Sequence, residues 1–175
     1  AIRADFSAKH RPMSLTKQGP DILVIANPTA GAGAGRVNKQ RLLELAVRDL
    51  ERADRKVELK LLATREEVED AAEAGVKRGY RAIVSAGGDG TVNAITNGML
   101  RNAGEEIELP PLGVLPMGTG NVFAFNLGID RSWREACRVI RRGHVRTVDV
   151  GLAKSTETAT SQYFLLMAGI GFDAK

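Results

Sequence analysis

The sequence predicts an α/β fold with three layers, a parallel sheet covered by helices on both faces, followed by the start of a β-rich second lobe. Three observations predict it. Apolar runs of strand length alternate with amphipathic helical stretches from residue 21 to about residue 142, the pattern of strand–crossover–strand units. The run Asp21-Ile22-Leu23-Val24-Ile25-Ala26 is continuous instead of alternating, as a strand buried on both faces requires. From His144 the alternation stops, and two strand-like runs follow one another.

Residues 1–20 show no steady periodicity and end in Gly19-Pro20, so a flexible leader is expected there. After the first strand, Asn27-Pro28-Thr29-Ala30-Gly31-Ala32-Gly33-Ala34-Gly35 breaks the pattern with turn chemistry. Leu43, Ala46, Val47 and Leu50 then recur at helical spacing. Val57–Leu62 reads as a second strand. Thr64-Arg65-Glu66-Glu67 has capping-box spacing, and Val68, Ala71, Ala72 and Gly75 mark the buried stripe of the helix it opens. Ala82–Ala86 is a third strand, and Val92, Ile95, Thr96 and Met99 give the next helix face. Leu112–Leu115 is a fourth strand, followed by Pro116-Met117-Gly118-Thr119-Gly120-Asn121 and a helical segment to about Leu127. Ser132-Trp133-Arg134-Glu135 repeats the capping-box spacing, with Trp133, Ala136, Cys137 and Ile140 as its apolar stripe. Arg146–Leu152 and Tyr163–Met167 are strand-like and joined by the polar link Lys154–Ser161, as in a hairpin. The expected division is a leader over 1–20, an α/β domain over 21–149 and the beginning of the second lobe over 150–175.

The 175 residues suit one domain with a real core. No apolar run approaches the ~18 residues of a membrane span, and the first residues lack the apolar core of a secretion signal. One cysteine excludes an internal disulfide, consistent with a cytoplasmic location. The net charge of +4 is concentrated in the leader, where Arg3, Lys9, Arg11 and Lys17 face Asp5 alone. The remainder is close to neutral, so a nucleic-acid partner is not expected.

Three loops carry chemistry. Gly87-Gly88-Asp89-Gly90-Thr91 stands between a strand and a helix. Glycines let backbone approach an anion closely, and the helix that follows aims its free N–H groups at the same place. A carboxylate among phosphates, Asp89, calls for a metal ion or a proton-transfer task. The Gly31–Gly35 loop reads G-x-G-x-G-R, with Arg36 where a dinucleotide fingerprint has Gly or Ala, and no Walker Gly-Lys-Ser/Thr follows. Gly118-Thr119-Gly120-Asn121 is the third. Each alone is explained by a tight turn. Placed together at the C-terminal ends of parallel strands, where open α/β sheets bind ligands, they point to one nucleotide crevice.

Thr64 has two readings: a helix cap, or a hydroxyl facing nucleotide, and both can hold. Cys137 belongs to an apolar stripe and reads as structural. His10 and His144 have no partner at metal or triad spacing. Arg131, Arg134, Arg138, Arg141, Arg142 and Arg146 outnumber Glu135 around one helix. A solvated face is the plain reading, and attraction to anionic headgroups the sharper one.

Read in order, these residues resemble a family. Asn27-Pro28 with Gly31, Gly33 and Arg36, then Gly87–Asn93, Leu115–Asn121, Val148-Asp149-Val150-Gly151 and Ala168-Gly169-Ile170-Gly171-Phe172-Asp173-Ala174 are similar to the diacylglycerol kinase catalytic-domain family, which includes bacterial lipid kinases and sphingosine kinases. The resemblance covers about residues 21–175. It implies a two-lobed enzyme that transfers the γ-phosphate of ATP, with Mg²⁺, to a lipid hydroxyl such as that of diacylglycerol or a sphingoid. It implies that Asn27, Pro28, Gly31, Gly33, Arg36, Thr64, Gly87, Gly88, Asp89, Gly90, Thr91, Val92, Asn93, Gly118, Thr119 and Asn121 serve the nucleotide. Asp89 would act on the metal–phosphate assembly or the acceptor proton, and Asp149 matches an acid of the metal and water network. Such catalysis is positioning plus charge neutralisation.

Val122 stands where many members have Asp, an acid that sphingosine kinase-like members also lack, and Ala94 where Glu is common. The family's second lobe, which supplies the lipid pocket, is only begun by Lys175. Little or no lipid phosphorylation is therefore expected of these residues alone. The strand around Tyr163–Met167 is expected to promote self-association, and peripheral contact with the inner membrane face is expected of a lipid kinase. An NAD kinase-like enzyme shares the Gly-Gly-Asp-Gly-Thr loop, and a non-catalytic nucleotide sensor is the alternative of another class.

Overall fold

The computed structural model describes residues 21–28, 36–52, 55–101, 108–129, 132–155 and 160–166. The leader, Gly31, Gly33 and the Ala168–Ala174 motif lie outside the described residues.

Four strands, β1 (Ile22–Ala26), β2 (Val57–Leu61), β3 (Ala82–Gly87) and β4 (Leu112–Pro116), form a parallel sheet in the order β2-β1-β3-β4. Five helices accompany them: α1 (Arg36–Leu50), α2 (Arg65–Arg78), α3 (Asp89–Leu100), α4 (Val122–Asn126) and α5 (Trp133–Arg142). A hairpin of β5 (Gly151–Lys154) and β6 (Ser161–Phe164) pairs antiparallel, Gly151 opposite Phe164.

The continuous apolar run of β1 is explained by period-two alternation between two cores. Ile22, Val24 and Ala26 pack with Leu43, Ala46 and Leu50 of α1 and with Ala136 and Cys137 of α5. Leu23 and Ile25 face the other way, against Val68, Ala71 and Ala72 of α2 and Ala94, Ile95 and Met99 of α3. Every β1 side chain is buried, so neither face leaves room for a polar residue. The α2 and α3 helices cross at Gly98, where a Cβ would lie 2.1 Å from the Glu69 carbonyl oxygen. Only glycine allows that approach.

The helix signals divide. Thr64 and Glu67 make the complete capping box: the Thr64 Oγ1 accepts the Glu67 N–H at 3.2 Å, and the Glu67 carboxylate accepts the Thr64 N–H at 3.0 Å. The same spacing at Ser132 does not. Ser132 caps α5 without a side-chain bond, and Glu135 instead pairs with Arg138 at 2.9 Å. A competing i,i+3 ion pair takes the carboxylate that the box requires.

The strand expected at Arg146–Leu152 is also shorter, because ladder pairing begins only at Gly151. β-branched residues favour extended backbone, but a strand needs a neighbour to bond. Among the described residues, none lies beside 146–150.

The hairpin is clamped to the α/β body by Asn97, while Leu165 and Leu166 just after β6 pack against Val92, Val114 and Phe123. Asn97 of α3 donates from Nδ2 to the Tyr163 carbonyl and accepts the Tyr163 N–H at Oδ1, both at 2.9 Å. One amide thus reproduces the paired exchange of an antiparallel ladder.

Candidate functional site

Strand order places the site. The connections from β1 lead to β2 on one side and, after β2, back to β3 on the other, so the order reverses between β1 and β3. Open α/β sheets bind ligands at this point, outside the carboxyl ends of the strands. Ala26 pairs with Ala86, and Gly87 with Pro116. Asn27, Gly87 and Pro116 therefore begin three loops along one edge. Asn27 reaches across from Nδ2 to the Ala63 carbonyl at 3.5 Å, which brings the end of β2 and Thr64 to the same edge.

The Gly87–Thr91 loop turns directly into α3. Gly88 is the N-cap and offers no side chain, so the helix start has no side-chain cap. The first N–H groups of a helix have no intrahelical acceptor, and here they meet an exposed Gly90 whose missing Cβ would touch nothing within 4 Å. The helix start is thus open at Gly90 and carries the positive end of the α3 dipole beside Asp89. Thr91 has its side chain beneath the loop, where it occupies the space of a Gly87 Cβ. Val92 packs in the core with Val114, Phe123 and Ala124. Asn93 is half-buried, and its Oδ1 has no hydrogen-bond partner among the described residues.

The Gly118–Asn121 loop closes against this helix start. The Gly87 carbonyl accepts the N–H groups of Met117 and Gly118 at 3.0 and 3.1 Å. A Cβ on Gly118 would sit 2.3 Å from the Gly88 Cα, so the two backbones touch. Asn121 folds the loop from within. It adopts a left-handed conformation with φ 55°, accepts the Gly118 N–H at 2.9 Å and donates to the Gly118 carbonyl at 2.8 Å. Asparagine tolerates that region better than most side chains. Thr119 and Gly120 are left exposed at the rim.

Asp89 joins the two loops. Its Oδ2 accepts the Val122 N–H at 3.1 Å and its Oδ1 the Phe123 N–H at 2.9 Å, so the carboxylate caps α4. Each oxygen keeps one lone pair. That fits a Mg²⁺ carried mainly by phosphates and water, which asks one or two carboxylates of a protein. Among the described residues, no group of three acidic, histidine or cysteine side chains builds a protein cage. Asp149 is exposed on the unpaired stretch before β5 and bonds to no described residue.

Thr64, exposed at the end of β2, uses an acceptor lone pair in its cap. Its hydroxyl also bonds the Glu67 carboxylate, whose pKa it helps to lower, so a ligand reaches it only in competition with that acid. Pro28 is exposed beside Asn27, and the side chain of Arg36, first residue of α1, lies outside the described residues. A cavity of about 510 Å³ lies elsewhere, along the free edge of β4, walled by Leu112, Val114, Ile140, Val148 and Leu165. Its walls are mostly apolar, although Arg55, Arg81 and Arg146 also line it beside Asp21, and none of the loop residues above does. Asn97 was not singled out by sequence. Its signal was present, a polar residue inside the apolar stripe of α3 and four residues after Asn93, whose carbonyl it also bonds at 2.9 Å.

The profile of the diacylglycerol kinase catalytic domain matches residues 21–153. The chain belongs to that family. A diacylglycerol kinase of Staphylococcus saprophyticus is 34% identical over 151 residues, covering 85% of this chain and 44% of its own length. A diacylglycerol kinase of Staphylococcus aureus is 36% identical over 151 residues, with 85% and 42% covered. The crystal structure of a diacylglycerol kinase from Bacillus anthracis superposes with a TM-score of 0.60 at 29% identity, over 85% of this chain and 49% of that one. The α/β architecture described above thus matches that of a solved diacylglycerol kinase over the shared residues. The chain spans less than half the length of these curated relatives. No helix among the described residues is long and apolar enough to cross a membrane.

Proposed function

We propose that this chain is the nucleotide-binding lobe of an ATP-dependent lipid kinase, and that ATP with Mg²⁺ occupies the crevice between the Gly87–Thr91 and Gly118–Asn121 loops. The observation that carries this reading is the uncapped start of α3 at an exposed glycine, closed on one side by a second glycine loop. Backbone N–H groups at Asp89 and Gly90 hold phosphate oxygens. Thr119 and Thr64 offer hydroxyls at the rim, and Asn27 borders the site from β1. Asp89 keeps the two loops in register and turns its remaining lone pairs toward the phosphates. Bound Mg²⁺ supplies neutralisation of phosphate charge. The family's lipid chemistry makes the acceptor a lipid hydroxyl, with diacylglycerol the first substrate to try and a sphingoid base the second.

Titration calorimetry with ATP and Mg²⁺ tests this reading. Gly90→Leu is the informative variant, because a Cβ there meets nothing within 4 Å while the added side chain crowds the proposed phosphate site. Saturable heat for the wild type and none for Gly90→Leu, at unchanged thermal stability, is the expected pair of results. No heat for the wild type, or equal heat for the variant, contradicts it.

A further inference from the structure

The two helical layers differ in how their cations are held. On the α2–α3 side each basic residue has a carboxylate partner: Arg65 with Glu69 at 2.6 Å, Lys77 with Glu73, Arg101 with Glu69 at 2.7 Å, and Arg78 with Glu58 at 3.3 Å. On the α1–α5 side, Arg41, Arg48 and Arg142 are exposed and bond to no carboxylate among the described residues. Arg134 lies over the Trp133 ring, 4.6 Å from its centroid. The two helices are neighbours, tied by the Arg141–Asp49 ion pair, so these arginines share one side of the molecule.

The ridge of α5 is made by Arg134, Arg138 and Arg142, all exposed and spaced four residues apart. Such spacing sets side chains in one strip along a helix. Of the three, only Arg138 has an acid partner, Glu135 at 2.9 Å. Beside this ridge, α1 exposes Leu45, 37% accessible, and Glu44 between Arg41 and Arg48. A face whose arginines outnumber its acids, Glu44 and Glu135, and which carries an exposed leucine complements a plane of phosphates over hydrocarbon.

We propose that the α1–α5 face is the surface by which this protein seats on an anionic phospholipid bilayer. The choice of a bilayer rests on the lipid-kinase reading. RNA is the less favoured partner, because the aromatic ring on this face is already covered by Arg134 and offers no stacking platform. The opposite layer, with its cations neutralised in place, faces water. Docking is therefore oriented and does not follow from net charge alone.

The test is co-sedimentation of the whole chain with phosphatidylcholine vesicles, with and without phosphatidylglycerol, in the absence of nucleotide. The triple variant Arg134→Gln, Arg138→Gln, Arg142→Gln is compared with Lys60→Gln, Lys77→Gln, Arg78→Gln, which removes the same charge elsewhere. The ridge variant is expected to weaken partitioning into anionic vesicles by roughly a hundredfold, about fivefold for each charge lost. The control variant is expected to bind like the wild type. Retained binding by the ridge variant, or an equal loss in both, overturns the proposal. So does a wild type that ignores anionic vesicles but binds a single-stranded RNA oligonucleotide through the same three arginines. Calorimetry with ATP on the ridge variant separates the two readings, since the crevice stands even if docking fails.

Discussion

Asp89 and Phe123 are joined by a 2.9 Å bond from the Phe123 N–H to the carboxylate, with the Val122 N–H held by the second oxygen. The acid of the glycine loop therefore caps a helix from another loop, 33 residues on for the nearer partner. Asp89→Ala is expected to lower stability in nucleotide-free protein by about 1–2 kcal/mol, the usual range for a lost N-cap. Urea unfolding gives the number, and faster amide exchange at Val122 and Phe123 locates the change. Unaltered stability without nucleotide would mean that the latch contributes nothing to the fold.

Gly98 marks the crossing of α2 and α3. With its added methyl 2.1 Å from the Glu69 carbonyl oxygen, Gly98→Ala must push the helices apart. The expected loss is about 1–3 kcal/mol, typical of overpacking, although alanine is the better helix former. Thermal unfolding distinguishes the two effects by sign.

Asp21 fastens the amino ends of three strands. It accepts the Lys56 N–H at 2.8 Å and pairs with Arg81 at 3.1 Å. The Lys56 N–H, with help from Arg81, holds its carboxyl below the usual aspartate range. A depressed folded value contributes stability above the unfolded pKa of about 4, and that contribution is lost as the pH falls through the folded value. Stability measured down an acid series should fall less steeply for Asp21→Asn than for the wild type.

Cys137 is completely buried, and burial pushes its thiol up to about 11. Thiolate is the reactive form. At neutral pH a thiol reagent is expected to label the native protein only at the rate of unfolding, and the protein in denaturant at once. Rapid labelling of native protein would contradict the buried stripe.

What could be read from the sequence was whatever is local. The β-branched run of β1, the Thr64–Glu67 box and the Val68–Gly75 stripe are set by neighbours within a turn or a strand, and all three form as expected. Ser132 and residues 146–150 departed where the outcome depended on competition or on a partner strand. At the candidate site, glycine placement announced close backbone approach, and Gly88 against Gly118 shows it. The Asp89 latch and the Asn97 clamp on Tyr163 were illegible for one reason. Each joins a side chain to backbone N–H groups far along the chain, and a backbone N–H has no letter of its own.

The most direct test of the nucleotide crevice is an amide-resolved titration of isotope-labelled protein with ATP, with and without Mg²⁺. The predicted result is a saturable shift of the Gly90, Thr119 and Gly120 amides, with Leu112 and Val114 on the β4-edge cavity unmoved. Shifts confined to that cavity, or none at saturating nucleotide, would contradict the account.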